Sequence, residues 1–511
     1  MVSDFYHPLL PALLVTLFLV TTAHVMLHKS DPRSAALWIV ICLLLPVGGV
    51  LLYLLFGVNR LNRRVQKRAA VADVNQLRSP LVTTSTLPVS IDQPIPSVLA
   101  HWQPLVRTSG QVTGLALQPG NRLTPLFNGD QAFPSMLAAI NQADRWLYLS
   151  SYIFDSRGIG QQFVDALVQA HQRGVQVRIL VDGIGEWYDG GRAVRALKKA
   201  GVAVGVFMPL RLLPPQLGMN LRNHRKLLLV DGAVSFVGGM NIRQQNIATA
   251  TNPRQIQDLM VKIEGPLQAQ LAQIAADDWR YVTGASWSPQ VMAGFGVPND
   301  LGDLGDLGEL DELDEPNKSN EFDLATGSNS GFCRAIADDP GPALGNLLAV
   351  LLGAVTSAQH SISIMTPYFL PPRELTALLQ VATRRGVVVN VILPQSSDHP
   401  LVHWASQHLW RSLLEAGISL YLQPPPFAHT KLLIVDEGYV QFGSANIDSR
   451  SLRLNFELMV ESYDQRFSAT MAEFFNQTLA ASEPVEISRL VQWALWRRLR
   501  NAFCWLFSPH L

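Results

Sequence analysis

Two segments of this 511-residue chain carry the same residues at the same spacing. His224-Arg225-Lys226-Leu227-Leu228-Leu229-Val230-Asp231 is followed, after six residues, by Gly238-Gly239-Met240-Asn241. His429-Thr430-Lys431-Leu432-Leu433-Ile434-Val435-Asp436 is followed, again after six, by Gly443-Ser444-Ala445-Asn446. His, Lys, Asp and Asn all recur at an offset of 205. A chain that repeats H-x-K-x4-D-x6-G-x-x-N in register is constrained to fold as two copies of one unit, and further landmarks keep the same order. Tyr152-Ile153-Phe154 is answered by Tyr368-Phe369-Leu370, Arg173-Gly174-Val175 by Arg385-Gly386-Val387, and Asp258-Leu259-Met260-Val261 by Glu457-Leu458-Met459-Val460.

Within each copy, strand and helix signals alternate. Trp146 to Phe154 is an apolar run suited to a buried strand, 160–172 has helical apolar spacing, and Val175 to Asp182 is a further strand opened by Arg173-Gly174. Short connections between such elements mark an α/β layer fold. The chain therefore divides into 1–68, 69–120 as a polar connector, a first α/β domain over 121–298, an acidic segment over 299–328, a second α/β domain over 329–485, and a C-terminal segment 486–511. The acidic segment reads as a solvated linker, and its spacing matches no EF-hand loop.

The front of the chain is apolar. No Asp, Glu, Lys or Arg occurs from Pro8 to Leu27 or from Ala35 to Val58, and either stretch is long enough to cross about 30 Å of hydrocarbon. A cleaved signal peptide is the alternative for the first, but Asp4 stands where basic charge is expected. Five basic residues and no acid between Asn59 and Arg68, against Lys29 and Arg33 between the stretches, predict a hairpin with both termini in the cytoplasm. Overall, 40 Lys+Arg balance 40 Asp+Glu and only 16% of residues are charged, so no global field draws nucleic acid. Three distant cysteines give neither a disulfide framework nor a C-x-x-C metal site.

Substitution at a phosphodiester needs a nucleophile, an acid for the departing alkoxide, and positive charge around the phosphate oxygens. Two Lys and two Asn can surround one phosphate without a metal or other cofactor. One imidazole then attacks phosphorus, and the other protonates the leaving oxygen and later deprotonates the incoming hydroxyl. On a strand, residues i and i+2 share a face, which would put each His beside its Lys.

The paired motifs resemble those of the phospholipase D superfamily. The Gly-Gly-Met-Asn form of the first, the Ser449-Arg450-Ser451-Leu452-Arg453-Leu454-Asn455-Phe456-Glu457 run after the second and the apolar front ending Leu54-Leu55-Phe56-Gly57 are similar to its bacterial cardiolipin synthase branch. The resemblance implies two tandem phospholipase D-like domains packed as a pseudo-dimer behind a transmembrane hairpin. It also implies His224, Lys226, Asp231, His429, Lys431 and Asp436 as the catalytic motif residues, with His224 attacking and His429 as acid and base. The residues alone leave that assignment symmetric. Asp231 and Asp436, at the strand ends, suit a supporting role better than contact with substrate. Asn241, Asn446 and Ser444 are expected at the phosphate, and Glu457 and Asp258 are expected to orient the imidazoles, as the aspartate of a serine protease triad does. Asp258 is the less regular of the two, lying 34 residues after its His against 28 for Glu457.

The implied reaction is transfer between two phosphatidylglycerol molecules, giving cardiolipin and glycerol, by a multi-pass protein of the bacterial inner membrane with its catalytic domains on the cytoplasmic side. Membrane phospholipids are the expected partners, nucleic acid is not, and oligomeric state is left open. A phospholipase D-type hydrolase would use the same residues, as would a nuclease, which the lack of a basic groove disfavours. A non-catalytic lipid-binding protein is the third alternative, and two intact motifs count against it. In the C-terminal segment, Trp493, Trp496, Phe503, Trp505 and Phe507 alternate with Arg489, Arg497, Arg498 and Arg500, a pattern suited either to the headgroup layer or to a helix packed on its own domain.

Overall fold

The apolar residues of the repeats build one continuous sheet. In the computed structural model, which describes residues 6–29, 32–57, 97–209, 221–248, 255–291, 331–339 and 345–508, the first repeat contributes nine strands. They are β1 (Gln118–Phe127), β2 (Trp146–Ser151), β3 (Gln176–Asp182), β4 (Ala203–Phe207), β5 (Arg222–Asn223), β6 (Leu227–Val230), β7 (Val234–Gly238), β8 (Ile256–Gln257) and β9 (Leu259–Glu264). The second adds β10 (Gly331–Asp338), β11 (Ser361–Met365), β12 (Val388–Pro394), β13 (Ser419–Gln423), β14 (Phe427–Ala428), β15 (Leu432–Val435), β16 (Tyr439–Gly443), β17 (Asn455–Ser462) and β18 (Glu483–Pro484).

The strand order is β18-β13-β12-β11-β15-β16-β17-β10-β1-β9-β7-β6-β2-β3-β4. Apart from β18, each half mirrors the other about the antiparallel β1–β10 pair, as duplication requires. Parallel pairing within β2-β3-β4 and β11-β12-β13 needs helical crossovers, which explains why these strands read as unbroken apolar runs. The helix Ile159–Gln172 buries Phe163, Val164, Leu167 and Ala170 as one crossover, and Arg373–Arg384 buries Leu375, Leu379 and Ala382 as its counterpart. On the other face the helices Gln268–Thr283 and Gln465–Ala480 join a core shared by both repeats, with Trp146, Leu229 and Val261 packed in the same cluster as Ile434, Phe442 and Val460.

At the front, Tyr6–His28 is a single helix, and its stretch Pro11–His28 is long and apolar enough to cross a membrane. The second apolar stretch, 35–58, expected as a further span, breaks at Pro46. It forms the helices Pro32–Leu44 and Gly48–Leu52 with a turn at Pro46, whose ring cannot donate to the preceding turn. The basic flank 58–68 and the acidic segment 299–328 lie outside the described residues, as does most of the connector.

Candidate active site

Each motif histidine is fixed by the opposite repeat. The strand β5, which leads into His224, pairs parallel with β17, and the His224 backbone N–H donates to Phe456 O at 2.9 Å. Likewise β14, which leads into His429, pairs with β8, and the His429 N–H donates to Gln257 O at 2.8 Å. Those carbonyls belong to the residues just before Glu457 and Asp258. The register therefore delivers each carboxylate to the imidazole of the other copy. His224 Nδ1 lies 3.0 Å from both Glu457 oxygens, and His429 Nδ1 lies 2.6 Å from Asp258 Oδ2. A carboxylate on Nδ1 leaves Nε2 as the atom free to react. The spacing from His to acid within one copy, which made Asp258 look irregular, has no bearing on a pair formed between copies.

The segments His224–Lys226 and His429–Lys431 precede β6 and β15 rather than lying in them, contrary to the strand expectation, because their backbone is committed to the other repeat. His and Lys still stand together: Lys226 Nζ donates to His224 O at 2.6 Å, and Lys431 Nζ to His429 O at 2.5 Å. Both lysines are buried, and Lys431 Nζ lies in addition 2.9 Å from His429 Nδ1; each ammonium carries three protons, so each keeps donor capacity for a ligand.

Burial also sets the proton affinities. It pushes His224 down to about 4, with Glu457 opposing and Lys226 and Lys431 adding to the effect. Burial lowers His429 in the same direction, assisted by Lys431 and, more weakly, by Lys226, and opposed by Asp258. It takes Lys431 down to about 8 and Lys226 well below its ordinary value. Burial raises Glu457, but His224, Lys226 and Ser444 outweigh it and keep the carboxyl below its usual range. The site thus sets two buried lysines and two neutral imidazoles beside two carboxylates, and burial favours the entry of an anion that would keep the lysines charged.

The two halves differ around the carboxylates. Ser444, expected to reach phosphate, instead donates its hydroxyl to Glu457 Oε2 at 2.5 Å and accepts from Leu458 N–H. At the equivalent Gly239, an added Cβ would stand 2.4 Å from Asp258 Oδ1, so glycine is what lets the carboxylate in. Asn455 Nδ2 adds a donor to Glu457 Oε1 at 3.1 Å. Asn241 accepts from Ile153 N–H through Oδ1, which leaves its amide protons for a ligand, and Asn446 is buried with no partner on Oδ1 among the described residues.

Asp231 and Asp436, grouped above with the catalytic motif, stand at the far ends of β6 and β15. The Asp231 carboxylate accepts from the N–H groups of Asp144, Arg145 and Trp146, and Asp436 from those of Gln359, His360 and Ser361. Each ties the start of β2 or β11 to the motif strand, and neither carboxylate is bonded to His224 or His429 among the described residues; Asp436 also lies 3.7 Å from His101 Nε2.

Two tyrosines not singled out as site residues complete the surroundings. The Tyr152 ring lies edge to face with His224, centroids 5.2 Å apart, with Lys226 Nζ 5.5 Å from its centre. Tyr368, its counterpart, donates to Asp398 at 2.5 Å. Their recurrence in the sequence was the available signal; it identified the strands without identifying the side chains. The three histidines His399, His403 and His408 have separate neighbours in Asp398, Gln407 and Trp505.

Comparison with known proteins identifies the family. The family model "Cardiolipin synthase, PLD-like domain" matches residues 136–279 and 351–479, and "Phospholipase_D-nuclease N-terminal" matches 13–57. Cardiolipin synthase 1 of Bacillus anthracis is 28% identical over 95% of this chain and 91% of its own, and the major cardiolipin synthase of Bacillus subtilis is 26% identical over 95% of both. Among solved structures, phosphatidylserine synthase of Haemophilus influenzae shares the fold, with a TM-score of 0.59 at 16% identity over 80% of this chain and all of that one. The chain belongs to the phospholipase D superfamily, in the family of cardiolipin synthase, PLD-like domains.

Proposed function

We propose that the chain is a membrane-bound phosphatidyltransferase that makes cardiolipin and glycerol from two molecules of phosphatidylglycerol. The observation that carries the reading is the crossed pair of His–carboxylate contacts beside two buried lysines. Full-length similarity to proteins named cardiolipin synthases supports the choice of lipid.

The phosphate of the first lipid enters beside Lys226 and Lys431, and its negative charge raises the proton affinity of the lysines and imidazoles around it. His224 Nε2, neutral at physiological pH, attacks phosphorus. With the phosphate bound, His429 takes up a proton on Nε2 from solvent and is held as imidazolium by Asp258; the glycerol oxygen leaves with that proton, and a phosphatidyl-histidine remains. A glycerol hydroxyl of the second phosphatidylglycerol then gives its proton to His429 and attacks phosphorus, which releases cardiolipin and restores His224. Glu457 and Asp258 hold the two Nδ1 atoms and stabilise the imidazolium as it forms, which leaves each Nε2 for the phosphate.

The apolar N-terminal helix fits association with the membrane that holds these lipids. We read the second apolar stretch as a return span, with both termini and the catalytic repeats on the cytoplasmic side. The basic run Asn59 to Arg68 supports that orientation.

The test is expression in cells that lack their own cardiolipin-forming enzymes, with His224→Ala and His429→Ala alongside. Cardiolipin is expected with the wild-type chain only. Phosphatidic acid without cardiolipin would make the protein a hydrolase, and unchanged lipids in all three would leave it a binding protein.

A further inference from the structure

The helix Leu495–Leu506 has two unlike faces. At about 100° per residue, Leu495, Trp496, Leu499, Phe503 and Leu506 fall within roughly a third of its circumference. These five side chains are exposed by 68, 65, 60, 62 and 64% respectively. Opposite them, Asn501 and Cys504 are buried against the helix Pro400–Glu415: Asn501 donates to Gln407 at 3.1 Å, and Cys504 packs with Ala405 and Leu370. The segment thus packs on its own domain and still leaves an apolar stripe uncovered. Arg498 and Arg500 border the stripe on either side, the latter with its guanidinium 4.1 Å from the Trp404 ring centre and 5.3 Å from that of Trp496.

Charge and position identify the occupant. From Ile487 to Leu511 there are four arginines and no acid; Arg489 is paired with Glu483 at 3.8 Å, and the others belong to this helix. Two copies meeting stripe to stripe would bring these basic borders together with nothing to neutralise them, whereas an anionic lipid surface attracts each by about 1 kcal/mol. Exposed Trp and Phe beside Arg suit the boundary between headgroups and acyl chains. The supporting helix Pro400–Glu415 is itself joined to the active site. Ser406 donates to Phe369 O at 2.8 Å, next to Tyr368, and Leu370 N–H donates to Ile447 O, next to Asn446.

We propose that the stripe from Leu495 to Leu506 seats in an anionic bilayer surface and holds the second half of the active site at headgroup level. This lipid contact is separate from the N-terminal helix and from the substrate phosphate, and its purpose rests on the reading of the substrate as a membrane phospholipid.

The test places a spin label at Leu499→Cys or Phe503→Cys in the full chain, reconstituted in phosphatidylcholine vesicles containing phosphatidylserine. The native Cys42, Cys333 and Cys504 are buried and spared. A label at Val388→Cys, exposed at the start of β12, is the control. Labels at 499 and 503 should collide with oxygen in preference to a water-soluble nickel chelate, several-fold more than at 388, and the ratio should rise with phosphatidylserine content. A ratio like that at 388, or shielding from both reagents by a second protein surface, overturns the proposal. The readout needs no turnover, so it stands apart from the identity of the reaction. As a second arm, Leu499→Asp with Phe503→Asp should lower turnover of phosphatidylglycerol in vesicles about ten-fold and leave that of a monomeric short-chain analogue unchanged. Equal loss on both substrates contradicts the proposal.

Discussion

His429 Nδ1, in the second repeat, lies 2.6 Å from Asp258 Oδ2, in the first. With the matching contact from His224 to Glu457, it makes each half of the candidate site depend on both copies.

Asp258→Asn keeps the shape of the side chain and removes the charge that stabilises a protonated His429. By analogy with the serine protease aspartate, turnover should fall by about 10²- to 10⁴-fold. Because the two residues act as one, combining Asp258→Asn with His429→Ala should be no slower than His429→Ala alone. Steady-state rates of the two single variants and the double variant check this, and additive losses would separate the pair.

Gly239 and Ser444 occupy equivalent positions with opposite requirements. Gly239→Ala would put a Cβ 2.4 Å from Asp258 Oδ1 and displace it from His429, while Ser444→Ala removes a donor from the buried Glu457. Losing that hydrogen bond costs about 1–3 kcal/mol, or roughly ten- to a hundred-fold in rate if it is felt in the transition state. Gly239→Ala should be the more damaging, and Gly239→Ser should not be tolerated despite restoring the residue of the other repeat. Rates and thermal midpoints of the three variants decide.

Much of this was legible in the chain, and the reason is the periodicity. Four motif residues at one offset of 205 specify a duplication, and the apolar runs around Leu149 and Ile179 specify buried parallel strands. The crossing was not legible, because it depends on two-residue pairings, Phe456 with Asn223 and Ala428 with Gln257, that join segments more than 170 residues apart in sequence. Nor was the role of Ser444: a hydroxyl near a phosphate site suggests a ligand contact until the carboxylate behind it is seen. Pro46 lies inside the second apolar stretch; whether a proline kinks or ends a helix depends on what its neighbours can satisfy, and here it ends one.

Asp231 and Asp436 each collect three backbone N–H groups. Replacing either with Ala strands those donors at a strand start, at a cost of about 1–3 kcal/mol or more. The expected outcome is a lower midpoint in chemical denaturation, with KM for lipid unchanged in the fraction that stays folded. A raised KM at unchanged stability would return these residues to the substrate.

The pH dependence follows from burial. Lys431 sits at about 8, so it is charged below that pH and loses its hold on phosphate above it. Accordingly kcat/KM should fall about ten-fold per unit above about pH 8, and Lys431→Arg, whose guanidinium stays charged, should move the fall upward at a lower plateau. On the acid side, His224 sits at about 4 in the folded protein against 6.5 ordinarily. The unfolded chain therefore binds the extra proton between those values, so stability is present above 6.5 and is lost as pH falls toward 4. Denaturation midpoints across that interval should fall less steeply for His224→Gln.

The most direct measurement is a single-turnover reaction with enzyme in excess over phosphatidylglycerol labelled at phosphorus, with one portion quenched in cold base, where a phosphoryl-histidine survives, and digested for mass spectrometry, and another extracted into neutral organic solvent to follow cardiolipin. Label should appear on the peptide carrying His224 before cardiolipin forms and disappear as cardiolipin accumulates. Label on the His429 peptide instead, or cardiolipin formed with neither peptide ever labelled, would contradict the account.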